Sequence, residues 1–123
     1  MSRPHRGMVQ HWIDATRWSL QGLAAAWRNE AAFRQEVVAV VLLLPVAFWL
    51  GETAVQRALL AAVLLLVPLV ELINSAIEAV VDRIGLEHHP LSGRAKNLGS
   101  AAVLMVLVLA AVVWGLIAWE RFF

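Results

Sequence analysis

Three long apolar segments separated by short polar ones give this chain its dominant pattern. Apolar side chains fill residues 37–50 with a short extension over 31–33, then 58–70, then 101–119. The last segment has 19 residues, close to the roughly 20 that a helix needs to cross a bilayer. Because a backbone in lipid must satisfy its own hydrogen bonds, each segment is predicted to be helical. The predicted spans are about 31–50, 57–83 and 98–119, within one domain covering residues 1–123.

Residues 8–28 carry a different pattern, with apolar side chains such as Trp12 and Trp27 at helical spacing and polar ones such as Asp14 on another face. Although Trp18 lies off the apolar stripe, this pattern predicts an amphipathic helix lying on the inner membrane surface. A soluble amphipathic helix is the alternative reading. The predicted fold is therefore an all-α membrane protein, with an N-terminal amphipathic surface helix followed by three transmembrane helices.

The composition agrees with a membrane protein. Of the 123 residues, 61% are hydrophobic and 15% are charged, against about 25% charged in soluble domains. The formal net charge is only +1, which makes nucleic acid an unexpected partner. The chain has no cysteine, so disulfides and thiolate metal sites are excluded.

The positions of the ten arginine and lysine residues predict an orientation. Five lie in the N-terminal segment and three between spans two and three, whereas only Arg57 and Arg121 lie on the other side. Positive residues are retained in the cytoplasm, so we expect a cytoplasmic N-terminus and 83–98 loop, with the C-terminus outside. Trp49 and Trp119 then meet at the outer interface. The eight residues on the cytoplasmic side are Arg3, Arg6, Arg17, Arg28, Arg34, Arg83, Arg94 and Lys96.

The second span ends in a row of polar residues, Glu71, Asn74, Glu78 and Asp82. At 100° per residue all four fall within roughly 80° of one another on one helix face. Glu71 lies roughly 20 Å from the outer end of a roughly 30 Å hydrocarbon layer. The row therefore runs from the depth of the lipid tails to the water. A carboxylate at mid-membrane costs about 2.5–3.5 kcal/mol, so this row is either a structural network between helices or a binding site.

More polar candidates are expected at the same membrane edge. Glu30 joins the surface helix to the first span, where it is also a candidate partner for Arg34 at i,i+4. Carboxylates, histidines and a lysine at one edge fit phosphoryl transfer, with acidic groups for Mg²⁺ and base and a cation for phosphate. Two adjacent histidines alone seldom bind metal, and Lys96 is equally able to snorkel. No Walker A or protein-kinase motif is present. The loop candidates are Glu87, His88, His89, Arg94, Lys96 and Asn97.

Several stretches resemble the prokaryotic integral-membrane diacylglycerol kinases. ELINSAIEAVVD at 71–82 is similar to that family's signature, and NEAAFRQE at 29–36 and LSGRAK at 91–96 follow at family spacing. The resemblance covers roughly residues 11–119 and is nearer to the Gram-negative enzymes than to the Gram-positive undecaprenol kinases.

This resemblance implies Mg²⁺- and ATP-dependent phosphorylation of diacylglycerol to phosphatidate in the bacterial inner membrane. It implies a homotrimeric bundle whose active sites are shared between subunits. Glu71 would be the general base, oriented by Asn74, and Glu30 and Glu78 would hold the metal. The residues expected to contact ATP are His11, Trp18, Glu30, Glu78, Glu87, His88, His89, Lys96 and Asn97. Those expected to contact the lipid are Ala32, Phe33, Arg34, Gln35, Glu71 and Ser100.

Two positions depart from the family pattern. Asn97 stands where the family usually has aspartate, and His11 stands where arginine is common. Undecaprenol kinase remains an alternative activity. A small proton-coupled transporter is an alternative of another class, although a transport site should lie nearer the midplane.

Overall fold

The chain, as a computed structural model describing residues 7–123, contains four α-helices and no other regular element in that range. Three of the helices are long and apolar enough to cross a membrane, which confirms the predicted all-helical fold with three candidate spans. Arg3 and Arg6, which entered the orientation argument, lie outside the described residues. The helices are α1 (Met8–Asn29), α2 (Ala31–Leu50), α3 (Ala54–Ile84) and α4 (Pro90–Phe122).

A single residue, Glu30, separates α1 from α2. Its extended backbone (φ −118°, ψ 104°) ends one helix and begins the next. The Arg34 guanidinium donates from Nη1 to the carbonyl oxygens of Trp27 at 2.7 Å and Arg28 at 3.2 Å. A cation at the carboxyl end of α1 satisfies carbonyls that have no partner within the helix. Arg34 therefore caps α1, and the alternative in which it pairs with Glu30 is not found among the described ion pairs.

The connection between α2 and α3 is a tight turn with caps on both helices. Thr53 Oγ1 accepts from the backbone N–H of Gln56 at 3.1 Å, and Gln56 Oε1 accepts from that of Glu52 at 2.8 Å. This is a variant of the reciprocal capping box. Arg57 Nε donates to the carbonyls of Phe48 and Gly51 at the end of α2. The first two candidate spans thus form an antiparallel hairpin around residues 51–53.

The loop before α4 is shorter than the sequence suggested. Helix α4 begins at Pro90, well before the predicted span at 98, because proline suits the first helical turn and His89 caps it. His89 Nδ1 accepts from the backbone N–H of Leu91 at 3.1 Å. Arg94, Lys96 and Asn97 are consequently helical residues with fixed directions.

Helix α3 is central and packs against both α2 and α4. Its apolar core with those helices includes Val40, Ala47, Leu60, Leu64 and Ile117. Aromatic residues of α2 and α4 meet at the end of the bundle remote from Glu71. There Trp49 lies 6.0 Å from Phe122 between ring centroids, and the Arg121 guanidinium lies 4.9 Å above the Trp49 ring. The ends of α2 and α4 that carry Trp49 and Trp119 therefore coincide, while the side of the membrane on which they lie stays a prediction.

Candidate active site

The buried stripe of α3 changes from apolar to polar along one continuous face. Leu60, Leu64 and Val67 are buried, and the next buried positions at helical spacing are Glu71 and Asn74. Both are only 7% exposed. Carboxylates are almost never buried this deeply without a partner or a function. The two side chains are buried because they continue the contact face of α3.

Exposure then rises along the same face. Glu78 is half-buried and Asp82 is exposed, its side chain 47% accessible. The predicted row of four polar groups thus runs from the interior of the bundle to its surface. A soluble molecule that contacts the exposed end of this row therefore lies next to the buried groups.

Asn74 forms a hydrogen bond within this row, with Nδ2 donating to Glu78 Oε1 at 3.2 Å. Its Oδ1 atom is buried and has no hydrogen-bond partner. Gly99 of α4 packs directly against this amide, leaving no room for a Cβ atom. Asn74 is therefore held by Glu78 and by the α4 backbone.

Four carboxylates gather around this point. Glu78 and Glu30 lie close enough to Glu71 for their charges to repel it, and Glu71 lies similarly near Glu36 on α2. Glu36 Oε2 is buried without a hydrogen-bond partner. The sequence pattern did not identify Glu36, although an acidic residue inside the predicted span 31–50 was an available signal. Carboxylates this close repel one another, and protonation or a bound cation relieves the repulsion.

A cleft of about 630 Å³ opens beside Glu30, between α1 and α3. Small residues line it, including Gly22 and Ala26 on α1 and Ser75 and Ala79 on α3. A separate apolar groove of about 330 Å³ lies between α2 and α3 and includes Phe33. The first cavity includes Glu30 itself, and the apolar one suits a hydrocarbon chain.

A third cavity, of about 210 Å³, lies where α3 ends and α4 begins. Glu87, His88 and His89 line it, together with Asp82 and Lys96. Lys96 Nζ lies 2.7 Å from Asp82 Oδ1. Acidic, basic and imidazole groups thus surround one small space next to the carboxylate row.

The other predicted contacts are more dispersed. Among those on α1, neither His11 nor Trp18 lines any of these three cavities. Ala32, Gln35, Asn97 and Ser100 are exposed, whereas Phe33 is 5% exposed. Ser100 follows Gly99 and so lies next to the Asn74 contact. The described chain alone does not bring the predicted nucleotide and lipid contacts into one pocket.

The acidic groups suit a hard divalent cation. No three histidine or acidic residues within 7–123 are already arranged around a common ion position. Mg²⁺ needs less than that, because it is commonly held by one or two carboxylates while water and substrate phosphates complete its octahedron. Glu30 and Glu78, both near Glu71 and both partly accessible, fit that requirement.

Known proteins are similar in sequence to this chain along most of its length. A family model described as prokaryotic diacylglycerol kinase matches residues 17–118. Escherichia coli (strain K12) diacylglycerol kinase is 56% identical over 110 residues, 89% of this chain and 90% of that protein. The Pseudomonas aeruginosa diacylglycerol kinase is 54% identical over 116 residues (93% and 94%). That of Haemophilus influenzae is 51% identical over 107 residues (87% and 91%).

Proposed function

The chain belongs to the prokaryotic diacylglycerol kinase family, and we propose that it transfers the γ-phosphoryl group of MgATP to diacylglycerol at the polar end of the bundle. It is a lipid kinase. The observation that supports placing the reaction at this end is the buried Glu71, which continues into the increasingly exposed Asn74, Glu78 and Asp82.

Glu71 acts as the general base. It removes the proton from the primary hydroxyl of diacylglycerol as that oxygen bonds to the γ-phosphorus and the bond to the ADP oxygen breaks. Diacylglycerol keeps its acyl chains in the membrane and presents one hydroxyl at headgroup level. A base buried within the bundle but close to its polar end reaches that hydroxyl without extraction of the lipid. Asn74 and Glu78, joined by a hydrogen bond, hold the wall of the site beside Glu71.

Glu30 and Glu78 would hold Mg²⁺, which when bound would neutralise phosphate charge. Lys96 meets the phosphates, because an ammonium attracts phosphate as a point charge. Glu87 and His89 contact the rest of the nucleotide from the loop. His89 uses Nδ1 as a cap acceptor, so its Nε2 carries the proton in the neutral ring and donates.

Membrane topology and assembly complete the proposal. The protein lies in the bacterial inner membrane with the site at the cytoplasmic interface, α1 on that surface and the C-terminus in the periplasm. Only 11% of the apolar 18-residue stretch of α4 is buried within the chain, which leaves helix surface for contact with lipid and with neighbouring subunits. Three copies associate, and their adjacent surfaces bring together the contacts that one chain leaves apart.

The lipid that accepts the phosphoryl group distinguishes a diacylglycerol kinase from a polyprenol kinase and from a transporter. The purified protein should transfer label from [γ-³²P]ATP to diacylglycerol in mixed micelles and far less to undecaprenol at the same mole fraction. Preferential labelling of undecaprenol would make it a polyprenol kinase. Proton movement across proteoliposomes without labelled lipid would instead indicate a transporter.

Replacing Gly99 with alanine should lower turnover while the bundle still folds. The new Cβ meets the Asn74 amide, which must shift and weaken its hydrogen bond to Glu78. A disturbance of about 1–2 kcal/mol corresponds to roughly 5- to 30-fold in rate. Turnover at saturating substrates measures the effect, with helix content followed by circular dichroism.

Gly115→Ala is the matched control for this substitution. Gly115 lies in the same helix, and a Cβ there meets nothing within 4 Å. Its turnover should stay within about twofold of wild type by the usual range for neutral substitutions. Equal losses in the two variants would show that α4 tolerates no added methyl group, and the Asn74 explanation would then be wrong.

Replacing Asn97 with aspartate should raise the Michaelis constant for MgATP and leave that for diacylglycerol nearly unchanged. Asn97 is exposed and adjacent in sequence to Lys96, so a new carboxylate there repels the triphosphate. At an exposed position the interaction is at most about 1 kcal/mol, or roughly fivefold. If the wild type were inactive and this substitution restored turnover by orders of magnitude, the protein would be a degenerate member of its family.

A further inference from the structure

The ion pair between Lys96 and Asp82 connects the first turns of α4 to the last turn of α3. The two atoms are 2.7 Å apart, a short charge-assisted hydrogen bond. Both side chains remain 44% and 47% exposed. Because half-exposed ion pairs add little to stability, this pair contributes little to the stability of the fold.

The pair does fix the place of the ammonium group. A lysine side chain has four flexible carbon–carbon bonds and would otherwise sample many positions at a helix surface. Asp82 Oδ1 accepts a hydrogen bond from one of the three ammonium N–H groups and keeps the ammonium at the edge of the 210 Å³ cavity that both residues line. The other two N–H groups remain available to a ligand in that cavity.

Asp82 is also suited to this role by its position on α3. It lies one helical turn beyond Glu78, on the same face. The cation that it holds therefore stands next to the carboxylate row. The neighbouring residue 97 is an asparagine, so it adds no second carboxylate to compete for the ammonium group.

We propose that Asp82 is a positioning residue that holds the Lys96 ammonium where the nucleotide phosphates bind. This inference rests on the proposed kinase function, because it assigns Lys96 to phosphate. Asp82 itself contacts neither phosphate nor diacylglycerol. Its effect on the reaction passes through Lys96 alone.

A double-mutant comparison tests this dependence. Asp82→Ala should raise the Michaelis constant for MgATP about tenfold, with kcat at saturating nucleotide within about threefold. Tenfold corresponds to about 1.4 kcal/mol, close to the contribution of one hydrogen bond to a charged group. Asp82→Asn keeps an oxygen acceptor and should lie between alanine and wild type. In a Lys96→Met background, adding Asp82→Ala should change kcat/KM for MgATP by less than twofold.

Two results would overturn the proposal: a Michaelis constant for MgATP within twofold of wild type in Asp82→Ala, or losses that multiply fully in the double mutant. Glu52→Gln, at the opposite end of the bundle, is the control and should match wild type. Gel filtration and circular dichroism establish that each variant is folded.

Binding of a non-hydrolysable ATP analogue, measured by calorimetry, keeps the test independent of turnover. A wild-type protein that binds the analogue but phosphorylates no lipid would reject the proposed function, while weaker binding in Asp82→Ala would still support the positioning role.

Discussion

Replacing Glu71 by glutamine is expected to abolish phosphatidate formation while the helical bundle still forms and MgATP still binds. Glutamine has nearly the same size and can keep the buried packing, but it cannot accept the proton of the attacking hydroxyl. Loss of a general base typically costs 10²–10⁴-fold in rate. Initial rates with saturating diacylglycerol and MgATP, measured over several orders of magnitude, check this expectation.

Glu120→Gln is the matched control for Glu71→Gln. The same chemical change is then made at an exposed residue near the end of α4, remote from the carboxylate row. It should leave the rate within about twofold. A Glu71→Gln enzyme that retained more than about a tenth of wild-type activity would show that another group takes the proton.

The second large effect is expected for Glu78→Gln. This substitution removes one negative ligand from the proposed Mg²⁺ site and also replaces the acceptor of the Asn74 amide with a neutral oxygen. Mg²⁺ binds mainly through charge and oxygen ligands, so activity at about 1 mM free Mg²⁺ should fall at least 100-fold. An effect of this size is expected when the charge stabilisation supplied by the metal is weakened by several kcal/mol. A titration of activity against free Mg²⁺ measures it.

Recovery of activity at high Mg²⁺ distinguishes the loss of a metal ligand at Glu78 from the loss of the general base at Glu71. Weaker binding moves the midpoint of the Mg²⁺ titration upward, so high Mg²⁺ should restore part of the lost activity. The Glu71→Gln enzyme should show no such recovery, because its defect is proton removal. An unchanged Mg²⁺ midpoint in Glu78→Gln would remove this residue from the metal site.

Much of the fold was predictable because hydrophobic periodicity determines which face of a helix is buried. The spacing of Glu71, Asn74, Glu78 and Asp82 placed them on one face, and the structure gives that face a gradient of exposure. The short connection between the predicted spans 31–50 and 57–83 likewise requires those two helices to be antiparallel neighbours. The surface position of α1 and the trimer depend on a membrane and on other chains, so they stay proposals.

Periodicity could not identify partners on other helices. It placed Arg34 one turn from Glu30, yet the guanidinium caps the end of α1 because free carbonyls lie nearer. It gave Lys96 no partner within the chain, whereas the packing of α3 on α4 pairs it with Asp82. Glu36 was passed over because its neighbourhood with Glu71 arises only when α2 packs on α3. Each of these depends on the distance between helices, which a pattern along one chain does not contain.

The central claim is that this protein phosphorylates diacylglycerol. Its most direct test incubates the purified, detergent-solubilised protein with [γ-³²P]ATP, Mg²⁺ and diacylglycerol in mixed micelles, and separates the lipids by thin-layer chromatography. A diacylglycerol kinase should give labelled phosphatidate that requires Mg²⁺ and diacylglycerol and is lost in Glu71→Gln. Gel filtration and circular dichroism on the same sample establish that the protein is folded and associated as three copies. Native protein that yields no labelled phosphatidate, or yields it equally from the Glu71→Gln variant, would contradict the account.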